Sequence, residues 1–196
     1  MLLIATHNLH KFLEIQQILA PIPCQNAKDL DLPSPLETGL TFIENALLKA
    51  RSAAKYSNLP CLADDSGLVV PALKGAPGIY SARYAGINQP DAAHRALLLK
   101  NMAHLSSHER HAYFYCAMVY IQHETDPTPI IGIGKWEGEI CLQEKGEYGF
   151  GYDPLFYIPE YQKTAAELSS TVKNSISHRG QALTMIAQQL KSVMLI

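Results

Sequence analysis

Asp64 and Asp65 stand side by side in the stretch Ala63-Asp64-Asp65-Ser66-Gly67, between the apolar runs Pro60–Ala63 and Leu68–Val70. Runs this dense in Leu, Val and Cys are usually buried strands. Like charges about 4 Å apart repel by roughly 4 kcal/mol at an effective dielectric near 20. The pair therefore needs a metal ion, a lysine or arginine, or open water. A solvated turn of Asp, Ser and Gly is the plain alternative. Elsewhere the chain carries residues that suit polyphosphate chemistry: Lys11, Lys49, Lys173 and Arg179 could neutralise phosphates. Glu37 and Asp65 offer the oxygen ligands that Mg2+ prefers, with water and phosphate completing its shell. A carboxylate beside such an ion can take a proton from an attacking water. Phe150, within Gly146-Glu147-Tyr148-Gly149-Phe150-Gly151-Tyr152-Asp153-Pro154, could stack on a base whose edge meets donors from His178 and Arg179. A tight aromatic turn is the alternative for that loop.

These residues must be carried by specific elements. Leu2–Ala5 reads as a short buried strand, followed by Thr6-His7-Asn8-Leu9-His10-Lys11 and a helix with Phe12, Ile15, Ile18 and Leu19 on one face. A helix N-terminus after a strand favours an anion through its free N–H groups and dipole; simple capping by Asn8 is the plainer alternative. Residues 22–27 suit a second strand, and a proline-bearing loop then delivers Glu37. Thr41-Phe42-Ile43-Glu44 has capping-box spacing, which gives Glu44 a structural role. The helix that follows is expected to bury Ile43, Ala46, Leu47, Ala50 and Ala54, with Asn45, Lys49 and Ser52 on another face. Leu68–Ala72 continues as strand, Pro90 and Asp91 open a helix to about Leu105, and Ala112–Ile121 reads as a central strand. Ile130–Cys141 is expected to pair antiparallel with it, with Trp136 as packing. Ser177-His178-Arg179-Gly180 opens a last helix with two cations in its first turn, against the usual preference for acids there.

Composition bounds the possibilities. A chain of 196 residues that is 47% hydrophobic can bury a full core. A formal charge of −2 argues against a nucleic-acid or anionic-membrane partner, each of which needs a basic excess. Cys24, Cys61, Cys116 and Cys141 form no Cys-x-x-Cys pair and read as reduced core residues. The N-terminus lacks the basic region of a signal peptide, and no run approaches membrane-spanning length. The expectation is a soluble, cytoplasmic protein.

Six ordered motifs decide the reading: Thr6-x-Asn8-x-x-Lys11; Glu37-Thr38-Gly39-x-Thr41-Phe42; Ala63 to Leu68; Gly75-Ala76-Pro77-Gly78 with Tyr80 to Tyr84; Phe150 to Pro154; and Ser177 to Gly180. On these the sequence resembles the non-canonical purine nucleoside triphosphate pyrophosphatases, the Ham1-like inosine/xanthosine triphosphatases, over essentially its whole length. The resemblance implies an α/β fold: an elongated mixed β-sheet flanked by helices, as one pyrophosphatase domain over 1–196 with two lobes and the active-site cleft between them. It implies a homodimer, dependence on Mg2+, and hydrolysis of ITP, dITP, XTP and dXTP to the monophosphate and pyrophosphate, cleansing the nucleotide pool. By the same resemblance Asp65 is catalytic, and Glu37 and Asp65 hold the metal. Substrate binding falls to Thr6, His7, Asn8, Leu9, His10, Lys11, Lys49, Ser66, Phe150, Gly151, Tyr152, Asp153, Lys173, His178 and Arg179. Leu36 stands where many bacterial members have a second acid. Arg179, with donors only, would favour a 6-oxo purine over adenine, since donor facing donor costs about 1–3 kcal/mol when buried. A pyrophosphatase for other modified nucleotides and a nucleotide sensor without turnover are the alternatives. In an extended strand Asp64 and Asp65 point to opposite faces, so Glu37 is the expected partner of Asp65, and Asp64 supports the site from behind.

Overall fold

Alternation of short buried strands with amphipathic helices builds a seven-stranded sheet, seen in a computed structural model that describes residues 1–194 and side chains through residue 190. Residues 195 and 196, part of the expected domain 1–196, lie outside the described residues. Strand β1 (Leu2–Ile4) leads into helix α1 (Leu9–Leu19), β2 (Cys24–Asn26), α2 (Phe42–Ser57), β3 (Cys61–Val69) and α3 (Asp91–Asn101). Then come β4 (His111–Ile121), β5 (Ile130–Ile140), β6 (Phe156–Ile158), β7 (Lys163–Thr164), α4 (Ser170–Ile176) and α5 (His178–Met194). The strand order is β2-β1-β3-β4-β5-β6-β7. β1 pairs parallel with β2 and β3, while β6 pairs antiparallel with β5 and β7. The sheet is therefore mixed, as the sequence leads one to expect.

The chain divides into two compact units. The first comprises Met1–Asp65, Cys116–Gly134 and the chain from His178 onward. Its core has two parts. Leu2, Ile4, Phe12, Ile15, Leu62, Met118, Leu183 and Ile186 pack together, α1 and α5 among them, and a second cluster sets the alanines of α2 against Leu3, Cys61 and Val119. Small residues let elements approach closely. A Cβ placed on Gly134 of β5 would come 1.8 Å from the carbonyl oxygen of His178, so only glycine lets the first turn of α5 sit on this strand.

The second unit comprises Ser66–Tyr115 and Lys135–Ser177. Phe114, Trp136 and Phe156 form its aromatic centre, with ring centroids 4.6 to 6.3 Å apart. Trp136 is thus packing. Arg110 is buried there and donates to the carbonyls of Ile140, Met102 and Cys141.

Three expectations change. Cys61–Val69 is one uninterrupted strand that stops short of the expected Ala72; Asp64 and Asp65 lie within it, 2% and 5% exposed, as the extended reading has them, and the solvated-turn alternative falls. Countercharges described below make that burial tolerable. Helix α3 ends at Asn101, short of Leu105. In α2 the buried stripe is Asn45, Ala46, Ala50, Ala53 and Ala54, while Ile43 is 37% exposed. The stripe is turned toward Asn45 because that amide has polar partners inside. The capping box of Thr41 and Glu44 forms as its spacing predicts. The four cysteines are free thiols, and burial pushes Cys61 up to about 11 and Cys116 up to about 12.

Candidate active site

The strand pleat separates the two aspartates, and each meets its own cations. Asp64 receives Lys11 Nζ of α1 at 2.9 Å and Arg179 Nη2 of α5 at 3.4 Å. Arg179 Nη1 also donates to Glu14 of α1. Two acids and two bases from three elements thus form a charge-balanced quartet, with Asp64 and Arg179 buried and Lys11 and Glu14 half-buried. Burial opposes the charge on Asp64, but Lys11, Arg179 and Lys49 outweigh it and hold the carboxyl well below the usual range. Burial likewise opposes the charge on Arg179, and Asp64 and Glu14 overcome it, so the guanidinium stays charged. A purine edge would have to compete with two carboxylates for Nη1 and Nη2.

Asp65 looks the other way. Its Oδ1 accepts from Lys49 Nζ at 2.8 Å, and the same ammonium lies 3.0 Å from Glu37 Oε1. Two carboxylates distant in sequence therefore converge on one cation. Burial raises the Asp65 pKa above the ordinary aspartate value even though Lys49 pulls the other way. Burial disfavours the charge on Lys49, but Asp65, Asp64 and Glu37 together raise its pKa. Two acids around one ammonium leave a net negative charge. Among the described residues no group of three or more His, Cys, Asp or Glu side chains forms a complete metal cage. A pair of oxygen ligands with the remaining positions left to water and phosphate is the donor set that Mg2+ takes in phosphate chemistry, and Glu37 with Asp65 fits it.

The loop before α2 fixes this arrangement. Asn45, fully buried, accepts from Gly39 N at 2.8 Å through Oδ1 and donates to Asp65 Oδ2 at 3.3 Å through Nδ2. One amide thereby joins the Glu37 loop to the strand carboxylate. A Cβ on Gly39 would come 2.6 Å from Glu44 Cβ and 2.7 Å from Asn45 Oδ1, so the loop can lie this close only with glycine. Glu44 accepts from the backbone N–H groups of Leu40 and Thr41, which is the structural role its spacing gives it.

The segment before α1 presents its own polar groups. Thr6 Oγ1 accepts from Asn8 N at 3.2 Å, and Asn8 caps the helix by accepting from Lys11 N at 3.1 Å. His7 Nε2 lies 2.9 Å from the carbonyl oxygen of Leu32, while Leu9 and His10 are exposed. His178 is buried at the first residue of α5, its backbone carbonyl against Gly134 of β5.

The second unit holds a separate constellation. Asp153 Oδ2 accepts from Lys173 Nζ at 2.7 Å and from Phe150 N at 2.9 Å. Lys173 Nζ lies 4.8 Å from the centre of the Phe150 ring, a cation–π contact. Asp153 and Lys173 are 3% and 5% exposed, so the pair is well shielded, while Phe150 and Gly151 are half-buried. Tyr152 is buried and donates to the carbonyl oxygen of Ser81 at 2.9 Å. Burial, with Tyr84 and Asp91 nearby, raises the Tyr152 pKa, which makes it a neutral structural donor. Ser66, half-buried, follows Asp65 on β3.

A family model described as the Ham1 family matches residues 2–189. The chain belongs to the Ham1 family. Among its relatives is the dITP/XTP pyrophosphatase of Legionella pneumophila strain Lens, 54% identical over 185 residues, which span 94% of this chain and 95% of that one. The enzyme of the same name from Photorhabdus laumondii is 51% identical over 191 residues, 96% and 97% of the two chains. The solved HAM1 protein of Coxiella burnetii superposes with a TM-score of 0.89 at 44% identity, covering 97% of this chain and 98% of its own.

In this Ham1 chain the predicted residues fall into two groups. Thr6 to Lys11, Glu37, Lys49, Asp65, His178 and Arg179 lie in the first unit; Ser66, Phe150 to Asp153 and Lys173 lie in the second. Sequence reasoning missed Asn45 and Glu14. A signal existed for each. Asn45 lies four residues before Lys49, and Glu14 three after Lys11, so each shares a helix face with a lysine of interest.

Proposed function

We propose that this chain hydrolyses dITP, XTP, ITP and dXTP to the monophosphate and pyrophosphate, with Mg2+ held by Glu37 and Asp65. The observation that carries this reading is the convergence of those two carboxylates on a single cation, Lys49 Nζ, at 3.0 and 2.8 Å. The dITP/XTP pyrophosphatases of Legionella and Photorhabdus, as relatives, support the same chemistry. When bound, the metal supplies charge stabilisation at the phosphates and an acidified water.

The chain's own groups do the rest. Asp65 accepts the proton of the attacking water. The water oxygen bonds to the α-phosphorus, the bond to the α–β bridging oxygen breaks, and pyrophosphate leaves. Lys49 keeps Glu37 and Asp65 in register, and its ammonium is a further donor for phosphate oxygens. Lys11, the Thr6 hydroxyl and the backbone N–H groups of His7 and Leu9 at the start of α1 offer donors to phosphate oxygens. Phe150 offers its face to the base, with Gly151, Tyr152 and Asp153 shaping that loop and Lys173 behind it. Ser66 offers a hydroxyl, while His178 and Arg179 hold the start of α5. We further propose that the protein acts as a cytoplasmic homodimer; no helix among the described residues is long and apolar enough to cross a membrane. Release of pyrophosphate from a panel of dITP, XTP, ATP and GTP, with and without Mg2+, tests the activity. Metal-dependent pyrophosphate from dITP and XTP is expected; release of orthophosphate, or a preference for ATP, contradicts it.

A further inference from the structure

Phe150 is flanked by two glycines in the left-handed region, Gly149 at φ +77° and Gly151 at φ +60°. Glycine suits those angles but leaves a loop conformationally free. The loop is nevertheless held, and from an unexpected direction. Gly151 N donates to Asp91 Oδ2 at 2.7 Å, and Arg95 Nη1 donates to the Gly151 carbonyl oxygen at 2.9 Å. Both grips come from α3, four residues apart and so on one helix face. Arg95 Nε pairs with Glu144 at 2.8 Å, which steadies its guanidinium. The usual benefit of an acid in the first turn of a helix explains a charge at Asp91. It does not explain why that acid and Arg95 grasp the two ends of one glycine residue.

We propose that Asp91 and Arg95 are positioning residues that clamp the Gly151 backbone, so that Phe150 is presented to the purine base in a preformed pose. The clamp fixes Gly151 just after the ring, and Asp153 fixes the Phe150 N–H, as described above. With both anchors in place, the ring and the Lys173 ammonium behind it are ordered before substrate arrives, and binding avoids the entropy of ordering them. Neither Asp91 nor Arg95 takes part in proton transfer, so their loss weakens binding and leaves the chemical step alone. The proposal rests on the reading of Phe150 as the base platform.

The test compares D91A, R95M, D91N, F150A and D91A/F150A, each shown folded by circular dichroism, for KM and kcat with dITP and Mg2+. Amide exchange at Gly151 is read by NMR without nucleotide. In D91A and R95M, KM is expected to rise about tenfold, the scale of one lost charge-assisted hydrogen bond, with kcat little changed. D91N, which keeps an acceptor oxygen, should restore most of the loss. D91A should add nothing in the F150A background, and Gly151 exchange should quicken in D91A but not in D91N. The clamp is overturned if D91A and R95M leave KM unaltered while F150A raises it, or if D91A and F150A add in full. An unchanged KM in F150A overturns the base-platform reading itself, and the clamp's role in binding with it.

Discussion

Lys49→Met removes the ammonium that bridges Glu37 and Asp65 and keeps most of its apolar stem. The side chains of Lys49 and Asp65 are only 12% and 8% exposed, while Glu37 is 24% exposed. Breaking a buried pair by deleting one partner costs about 3–5 kcal/mol. The partial exposure of Glu37 brings water within reach, so we take roughly 2–3 kcal/mol. For a chain of this size, each kcal/mol moves the melting temperature by about 2–4 °C, giving a drop of about 4–12 °C without metal. Mg2+ held by Glu37 and Asp65, as proposed, would supply a cation to the same two carboxylates. It should therefore raise the melting temperature of K49M more than that of the parent, in which Lys49 already neutralises part of the charge. Differential scanning calorimetry in EDTA and in excess Mg2+ reads both quantities. A K49M protein that melts with the parent in EDTA would refute the bridging role. An equal rise with Mg2+ in both proteins would refute the idea that metal and lysine serve the same carboxylates.

Other perturbations follow from the same geometry. Asp65→Asn should lower kcat by about 10²–10⁴, the usual worth of a positioned general base, with the circular dichroism spectrum unchanged; a fully active variant removes Asp65 from proton transfer. Gly134→Ala forces a Cβ toward the His178 carbonyl and should cost about 1–3 kcal/mol or more in urea unfolding. A loss below about 0.5 kcal/mol, the size of an ordinary surface change, would show that α5 can shift away. Because the folded Asp64 pKa lies below its unfolded value, folded protein holds fewer protons than unfolded protein in acid. The stability contributed by Asp64 is thus present above about pH 4 and is lost as pH falls toward the folded pKa. Asp64→Asn should flatten that acid limb of the melting curve, and an unaltered limb would assign it to other groups.

Much of this arrangement was legible in the chain. The period-two pleat separates Asp64 from Asp65 in the sequence alone, and the structure gives each its own cation. The Thr41–Glu44 box and the apolar faces of α1 and α5 are local patterns, so they too can be read directly. What escaped was long-range pairing. Nothing local says that Arg179 will cross from α5 to Asp64 and Glu14, 115 and 165 residues away. The solvated-turn alternative for the two aspartates stayed open for that reason, since burial is excluded only if no countercharge arrives. Asn45 shares its face with Lys49 as the spacing has it, but its burial is hidden because an amide inside an alanine-rich stripe breaks the hydrophobic pattern. Its partners, Gly39 and Asp65, are what make its burial affordable. The α3 clamp on Gly151 is invisible for the same reason, joining residues 60 and 56 positions apart.

The central claim is that water attacks the α-phosphorus at a site built on Asp65 and Glu37. Turnover of dITP with Mg2+ in water enriched in oxygen-18, followed by mass spectrometry of the products, tests it most directly. The account predicts one labelled oxygen in dIMP per turnover and none in the pyrophosphate released. Label in pyrophosphate, or orthophosphate as the product, would contradict it.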